Sequence, residues 1–252
     1  MGDLMQVNSE STNTSPRDPG RVSTPLLLSR FIRMDIWEGL HNLKTRLGIA
    51  RLADVVPDAL EEPDSPLARQ ARELVEQLSP SYLANHVFRT FYFGMAIAQR
   101  NKLTIDRELF YLAAVLHDLG LTDAFAQEPG SFEWVGARKA RELCIEKGLN
   151  AQRADLLYDA IALHSSVCIA NKREPEVAMV HYGAGCDLLG LRFDEIPPDT
   201  MARAMDCYPR ENFKASFCQC LDHQVQLKPN CHIAGHMGLG MAKRVHATPF
   251  SE

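Results

Sequence analysis

The sequence contains no apolar run close to the roughly 20 residues that a helix needs to cross a bilayer, so we expect no membrane span. It also lacks a concentration of basic residues, since 27 Lys and Arg stand against 32 Asp and Glu, for a net charge of −5. A nucleic-acid partner is therefore not expected. No secretory signal precedes the seven scattered cysteines, and their odd number argues against a disulfide framework. Reduced thiols and a cytoplasmic location are the expectation.

Several catalytic motifs are missing as well. The sequence has no Gly-x-x-x-x-Gly-Lys phosphate loop and no Gly-x-Gly-x-x-Gly dinucleotide fingerprint. It has no Gly-x-Ser-x-Gly nucleophile elbow. Cys218 and Cys220 are not followed by a second pair at zinc-finger spacing. His232 and His236 are four residues apart, a spacing that would place them on one helix face. The glycines around them disfavour a helix, so a second metal site here is only weakly predicted.

The alternating pattern of strands is nearly absent, and apolar residues recur three and four positions apart, as in amphipathic helices. Thr104, Ser131 and Asn150 are the predicted N-caps, and Gly120 is a predicted helix terminator. Helices are predicted over 26–47, 66–78, 82–100, 106–117, 132–147, 151–165 and 175–190, with two more between Pro198 and Lys228.

The fold class that follows is all-α, with one domain over residues 25–230. Residues 1–24 are rich in Ser, Thr, Asn, Pro and Gly, which predicts a flexible, disordered tail. Residues 231–252 are predicted to form an irregular C-terminal extension. The amphipathic helix at 26–47 is a candidate interface for a homo-oligomer.

Two imidazoles and two carboxylates stand in apolar surroundings and are the candidate site. They are His86, the adjacent pair His117 and Asp118, and Asp187. Neighbouring helical residues differ by about 100° in direction, but at a helix end followed by Leu-Gly the backbone can unwind and let both converge. Such nitrogen and oxygen ligands suit zinc, iron, manganese or cobalt. A metal with an open position would activate water as a nucleophile.

A structural interpretation competes with the metal site. A single buried histidine is usually a core residue with one hydrogen bond, and a His-Asp pair can be a structural couple. For each residue taken alone the structural role is favoured, whereas the four together favour a metal.

The order His86, His117-Asp118, Asp187 resembles the HD-domain superfamily of metal-dependent hydrolases over about residues 80–190. The stretches "HVFRTFYFGMAIA", "AAVLHDLGLT", "SFEWVGARKA" and "GAGCDLLG" are similar to its cyanamide hydratase branch, which adds water to cyanamide to give urea. The resemblance implies an HD-domain helical bundle with these four residues as metal ligands.

One divalent transition metal is expected, with zinc favoured and iron or manganese as alternatives. Some members of the superfamily hold two metals through further histidines, and here His164 and His181 are available. His181 and Asp187 do not share a helix face, so joint ligation of one ion is not expected. His164 is expected near the pocket rather than on the metal.

Three residues lie on the same helix face as His86 and are candidate substrate contacts: Arg89, Thr90 and Phe93. Arg89 would hold an anion or, as the favoured alternative, pair with a buried carboxylate. Thr90 would bond a small polar substrate or the preceding helical turn. Phe93 would wall the pocket or pack in the core.

Asp118, Glu133 and His164 are the candidate catalytic residues. Asp118 would ligate the metal and orient the water. Glu133 lies between Phe132 and Trp134, where apolar neighbours would raise its pKa and suit it to proton transfer. The alternative for Glu133 is a favourable interaction with a helix N-terminus, and for His164 it is a core histidine.

The leading function is a metal-dependent lyase that hydrates a small nitrile, taking cyanamide to urea. One alternative is an HD-type phosphohydrolase acting on nucleotides or other phosphomonoesters, but phosphate chemistry needs cations, and Arg89 is nearly alone near the candidate ligands. The other alternative is a non-catalytic helical module stabilised by metal. The expected partner is a small-molecule substrate.

Overall fold

The computed structural model describes residues 18, 20–50 and 52–252, and in these residues the regular structure is entirely helical. The prediction of an all-α fold is confirmed. The helices are α1 (Thr24–Arg46), α2 (Pro66–Leu78), α3 (Ser81–Arg100), α4 (Arg107–Leu116), α5 (Phe132–Glu146), α6 (Ala151–Leu163), α7 (Pro175–Leu189), α8 (Pro198–Cys207), α9 (Phe213–Leu227), α10 (His232–Gly238) and α11 (Met241–His246). Within the described ranges, no helix is both long and apolar enough to cross a membrane.

Helices α3 and α7 pack against each other backbone to backbone at the centre of the molecule. A Cβ atom added at Gly183 would lie 2.2 Å from the carbonyl oxygen of Thr90. One added at Gly94 would lie 2.7 Å from the carbonyl oxygen of Met179. Since glycine has no side chain, the two helix axes come close, and this approach sets the middle of α3 beside the middle of α7.

Helix α4 lies inside the bundle and is apolar nearly all round, as expected for a fully buried helix. Its residues from Leu109 to Leu116 are all buried, and α2, α3, α6 and α7 surround it. The hydrophobic core therefore reaches directly to the last turn of α4, from which the chain emerges at His117.

Helix α1 lies on the outside of this core. Its buried side chains are Leu27, Phe31 and Met34. Three ion pairs hold it against the rest of the chain: Asp35 with Arg244, Glu38 with Arg192, and Arg46 with Asp194. The opposite face of α1 exposes large apolar side chains: Leu28, Ile32, Ile36, Trp37, Leu40 and Leu43.

The C-terminal residues are not the irregular extension that the sequence predicted. They form α10 and α11, whose buried residues Ile233, Met241 and Val245 pack with α9. Tertiary burial of these side chains outweighs the low helix propensity of the glycines.

The predicted tail lies mostly outside the described residues, which leave out 1–17 and 19. Of its remainder, Asp18 accepts hydrogen bonds from the backbone NH and the hydroxyl of Ser131. Helix α1 begins at Thr24, inside the predicted tail.

Candidate metal centre

At the end of α4, the backbone lets the adjacent side chains of His117 and Asp118 point toward the same place. The helix ends at Leu116, His117 is its C-cap, and Asp118 leaves the helical conformation with φ −101° and ψ 13°. A short 3₁₀ turn follows, and a Cβ at Gly120 would lie 2.1 Å from the carbonyl oxygen of Phe132. The unwinding proposed from the sequence therefore occurs, and Gly120 allows α5 to start directly against the turn.

His86, His117 and Asp118 converge at this point. One ligand atom from each lies within 4.8 Å of the other two, and all three residues are buried. The Oδ2 atom of Asp118 is 3.2 Å from Nε2 of His117 and 3.6 Å from Nε2 of His86. Two elements far apart in sequence thus deliver two imidazole nitrogens to one carboxylate.

The other ring nitrogen of each imidazole has a partner that fixes the ring. Nδ1 of His117 lies 2.7 Å from the carbonyl oxygen of Ala114, and Nδ1 of His86 lies 2.7 Å from Oδ2 of Asp187. These partners are acceptors, so Nδ1 carries the proton and Nε2 presents a lone pair. Metal-ligating histidines are held in this way by carbonyl or carboxylate groups behind the ring.

The surroundings of the Asp118 carboxylate show whether a cation fits among the three converging residues. Neither of its carboxylate oxygens has a hydrogen-bond partner among the described residues, although both are buried. Burial opposes the charge, but in the absence of a metal a protonated His117 lowers the pKa of Asp118 to about 2, so the carboxylate is ionised at neutral pH and a cation could take the place of that proton. A buried carboxylate facing two imidazole lone pairs is repelled unless a cation or a proton lies between them. The donor set therefore fits a divalent transition metal.

Asp187 lies behind His86, on the far side of the ring from Asp118. Besides His86, its oxygens accept hydrogen bonds from both Nε and Nη2 of Arg89, at 2.9 and 2.8 Å, and from Arg210 at 2.5 Å. Burial would raise the pKa of Asp187, but Arg89 and His86 lower it well below its usual range. The structure directs Asp187 at His86 and two guanidinium groups rather than at the point of convergence, and its role as a fourth metal ligand stays a prediction.

His164 faces the same carboxylate from a third helix. It is the C-cap of α6, and its Nε2 is 3.7 Å from Oδ1 of Asp118. Its Nδ1 lies 2.7 Å from the carbonyl oxygen of Ile161. Burial, followed by the nearby His117, lowers the pKa of His164 to about 3. His164 is thus a neutral imidazole with its Nε2 lone pair turned to the centre.

Glu133 is buried at the start of α5 and is connected to the cavity through a hydrogen bond with Ser165. Its Oε1 accepts a hydrogen bond of 2.6 Å from the hydroxyl of Ser165, whereas its Oε2 has no partner in the described part of the chain. Burial raises the pKa of Glu133, as the sequence predicted from its apolar neighbours. Ser165, which the sequence analysis missed, lies on the cavity wall, and Glu133 lies behind it.

The three predicted substrate contacts point elsewhere. Arg89 is fully buried and bonds Asp187 and the carbonyl oxygens of residues 208 and 209. The Thr90 hydroxyl donates to the carbonyl oxygen of His86 one turn earlier, and Phe93 stacks on Phe250 in the core. None of the three lines the cavity, and their contacts are the structural alternatives stated for them: a buried carboxylate for Arg89, the preceding turn for Thr90 and core packing for Phe93.

A small cavity of about 50 Å³ opens at the three converging residues. That space holds a few water molecules or a ligand of a few heavy atoms. Five histidines line it, together with apolar side chains such as Phe31, Met34 and Leu188, and its lining within the described residues includes no Lys or Arg. The histidines are His86, His117, His164, His181 and His236.

His236 also lines the cavity, although the sequence analysis gives the pair His232 and His236 little weight as a metal site. Its spacing of four from His232 predicts two side chains on one helix face. Gly235 weakened the prediction, but a Cβ there would lie 2.8 Å from Cδ2 of Leu27, so the glycine is what lets α10 approach α1.

Comparison with known proteins agrees with this geometry. The family model of the HD domain matches residues 83–189, which contain the three converging residues, His164 and Asp187. Two cyanamide hydratases of Saccharomyces cerevisiae, DDI2 and DDI3, are each 27% identical to this chain over 192 residues. The matched region is 75% of this chain and 85% of each yeast enzyme.

Residues 83–189 therefore match the HD-domain family, and this match together with the yeast relatives supports a metal-dependent enzyme. The resemblance to its cyanamide hydratase-like branch, predicted from the local sequence, is confirmed. The prediction of a metal cofactor is confirmed at the level of a metal-binding family and a His-His-Asp cluster.

Proposed function

We propose that this protein hydrates a small neutral nitrile, converting cyanamide to urea, with one divalent transition metal held by His86, His117 and Asp118. The observation that carries the proposal is the cavity at these residues, which is small, mostly apolar and free of Lys and Arg in the described chain. Cyanamide has three heavy atoms and no charge. The proposal names zinc, with iron or manganese as alternatives that use the same ligands.

The metal, when bound, lowers the pKa of a coordinated water and polarises the nitrile. Asp187 is a positioning residue that fixes the ring of His86, and Arg89 and Arg210 balance its charge. Asp118 offers a second oxygen to orient the attacking water. In the reaction, the water oxygen bonds to the nitrile carbon and a proton reaches the nitrile nitrogen, after which the product tautomerises to urea.

His164 is proposed to move that proton. Its neutral Nε2 faces Asp118 across 3.7 Å, so it is placed to accept a proton from the water and return it to nitrogen. Glu133 is proposed to act through Ser165, whose hydroxyl donates to Glu133 and therefore turns its oxygen lone pairs toward the cavity. Both roles are tested by substitution of the residue named.

The phosphohydrolase alternative is weaker because a phosphoryl group needs cations around its oxygens. Arg89 and Arg210, the closest arginines, are both committed to Asp187. A nucleotide also exceeds the cavity. The non-catalytic module would bind metal without turning over either substrate class.

We further propose that the chain forms a homo-oligomer through the exposed apolar face of α1. The partner would be a second copy of this chain. A row of exposed residues one helical turn apart, including Ile32, Ile36 and Leu40, is more apolar surface than single scattered residues give. The predicted cytoplasmic location remains a prediction.

The proposed function is tested by metal analysis of the purified protein, followed by a urea assay with cyanamide and a phosphate assay with phosphomonoesters. The expected result is bound metal and urea release. His117→Ala should lose both while keeping its helical circular dichroism, and His223→Ala, an exposed histidine on α9, should lose neither. Urea production by a metal-free His117→Ala protein would refute the mechanism, and phosphate release without urea would favour the alternative.

A further inference from the structure

One polar group on the cavity wall is not used by the chemistry described above. His236 is buried on α10, with only 2% of its surface exposed. Its ring packs edge-on against Phe31, with centroids 5.3 Å apart, and α10 is held close to α1 by the contact at Gly235. Helices outside the 83–189 match therefore fix the position of this imidazole.

The two ring nitrogens of His236 have different surroundings. Nδ1 lies 3.3 Å from the carbonyl oxygen of His232, one turn earlier in α10. Nε2 is buried and has no hydrogen-bond partner among the residues that the structure describes. The backbone of Ser165 also interacts with the ring, but the hydrogen bond to the His232 carbonyl oxygen is made by Nδ1. A neutral ring has one proton, and with that proton on Nδ1 the Nε2 atom is an acceptor.

Burial, then the neighbouring His232, lowers the pKa of His236 to about 3, which agrees with a neutral ring. An unsatisfied buried acceptor on a cavity wall is costly unless a ligand or water donates to it. The same cavity contains His86, His117 and Asp118. A ligand that fills this cavity also meets the other polar groups of its wall.

We infer that Nε2 of His236 accepts a hydrogen bond from the amino group of the substrate and so selects aminonitriles over alkyl nitriles. This inference rests on the proposed function. Cyanamide and acetonitrile have the same number of heavy atoms and differ by NH₂ against CH₃. A site that hydrogen-bonds a substrate group rejects the analogue without it because the buried partner is left unpaired.

The experiment compares His236→Leu, which has no acceptor, with His236→Gln, which keeps one at similar side-chain volume. Cyanamide hydration and inhibition of that reaction by acetonitrile are measured for each. We expect His236→Leu to lose about 10- to 100-fold in kcat/KM for cyanamide, chiefly through KM, because the bond exists in the ground state too. Its inhibition constant for acetonitrile should change less than about threefold, since no hydrogen bond is lost.

His236→Gln should recover most of the loss, and His223→Leu, an exposed control on α9, should match the wild type. Metal content and circular dichroism should be unchanged in all variants, because His236 is outside the proposed ligand set. Equal weakening of cyanamide and acetonitrile in His236→Leu, or failure of His236→Gln to recover, would overturn the inference alone. A wild-type protein that makes no urea from cyanamide would instead overturn the proposed function as well.

Discussion

Two buried carboxylates of this protein are balanced in opposite ways. Asp187 is fully satisfied by protein groups, since Arg89, Arg210 and His86 surround it. Asp118 is equally buried but has only lone pairs near it, from His86 and His117, once the ring protons are assigned. Removing one partner of a buried ion pair typically costs several kcal/mol, so an uncompensated carboxylate requires a reason. A cation bound at this point would supply that compensation.

The neutral histidine at the cavity wall predicts a pH dependence of stability. His236 has a folded-state pKa of about 3, below the value of about 6.5 expected for an unfolded chain. Between these values the unfolded state binds a proton that the folded state does not, so the free energy of unfolding falls as the pH falls from 6.5 toward 3. His236→Gln removes this contribution.

The expected result is a smaller slope of unfolding free energy against pH for His236→Gln, by about 1.4 kcal/mol per pH unit between pH 4 and 6. Chemical denaturation of both metal-free proteins measures it. Parallel curves for the wild type and the variant would show that His236 is not held neutral by the fold.

The helix N-termini show which capping residues can be predicted from the local sequence and which cannot. Asn150 caps α6 as predicted, with its side chain accepting from the backbone NH of Arg153. Thr104 does not cap α4, because Asp106, two residues later, accepts from the NH of Leu109 instead. Ser131 occupies the cap position of α5 but gives its hydroxyl to Asp18. Cap residues compete for the same role, and tertiary partners decide among them.

Close packing of α3 on α7 predicts a strong effect of one methyl group. Gly183→Ala would place a Cβ 2.2 Å from the carbonyl oxygen of Thr90, which is backbone and cannot move without separating the helices. We expect destabilisation of about 2 kcal/mol or more, in spite of the better helix propensity of alanine. Because α3 holds His86 and α7 holds Asp187, metal affinity should fall as well.

The matched control is Gly39→Ala in α1, where a Cβ would meet no atom within 4 Å. This substitution should stabilise the protein by up to about 1 kcal/mol. Both are measured by denaturant unfolding. A Gly183→Ala protein as stable as Gly39→Ala would contradict the packing account.

Residues near both ends of the described chain line a cavity whose central residues come from the middle of the sequence. The region that matches the HD-domain family supplies the three converging residues and His164, whereas Phe31 and Met34 of α1 and His236 of α10 close the cavity. The proposed substrate selection by His236 and the proposed metal binding therefore lie in different parts of the sequence.

The exposed face of α1 predicts self-association. Ile36 and Trp37 have 56% and 65% of their surface exposed, an unfavourable arrangement for a monomer in water. Light scattering should give the wild type a mass of two or more times 28.2 kDa, the mass of one chain. Ile36→Glu should shift the mass to that of one chain, and Gln77→Glu, which adds the same charge to exposed α2, should not. A wild-type mass of 28.2 kDa would refute the proposal.

Local patterns are enough to predict the all-α fold, most helix positions, and the candidates His86, His117 and Asp118, because helical periodicity and polar residues in apolar segments can be recognised within a short stretch. Packing of the helices is needed to show that Asp187 lies behind His86, that it is the carboxylate paired with Arg89, and that Ser165 and His236 face the cavity. Those outcomes depend on which helix faces meet and how closely. Glycine contacts such as those at Gly183 and Gly235 set that distance, and no local pattern records it.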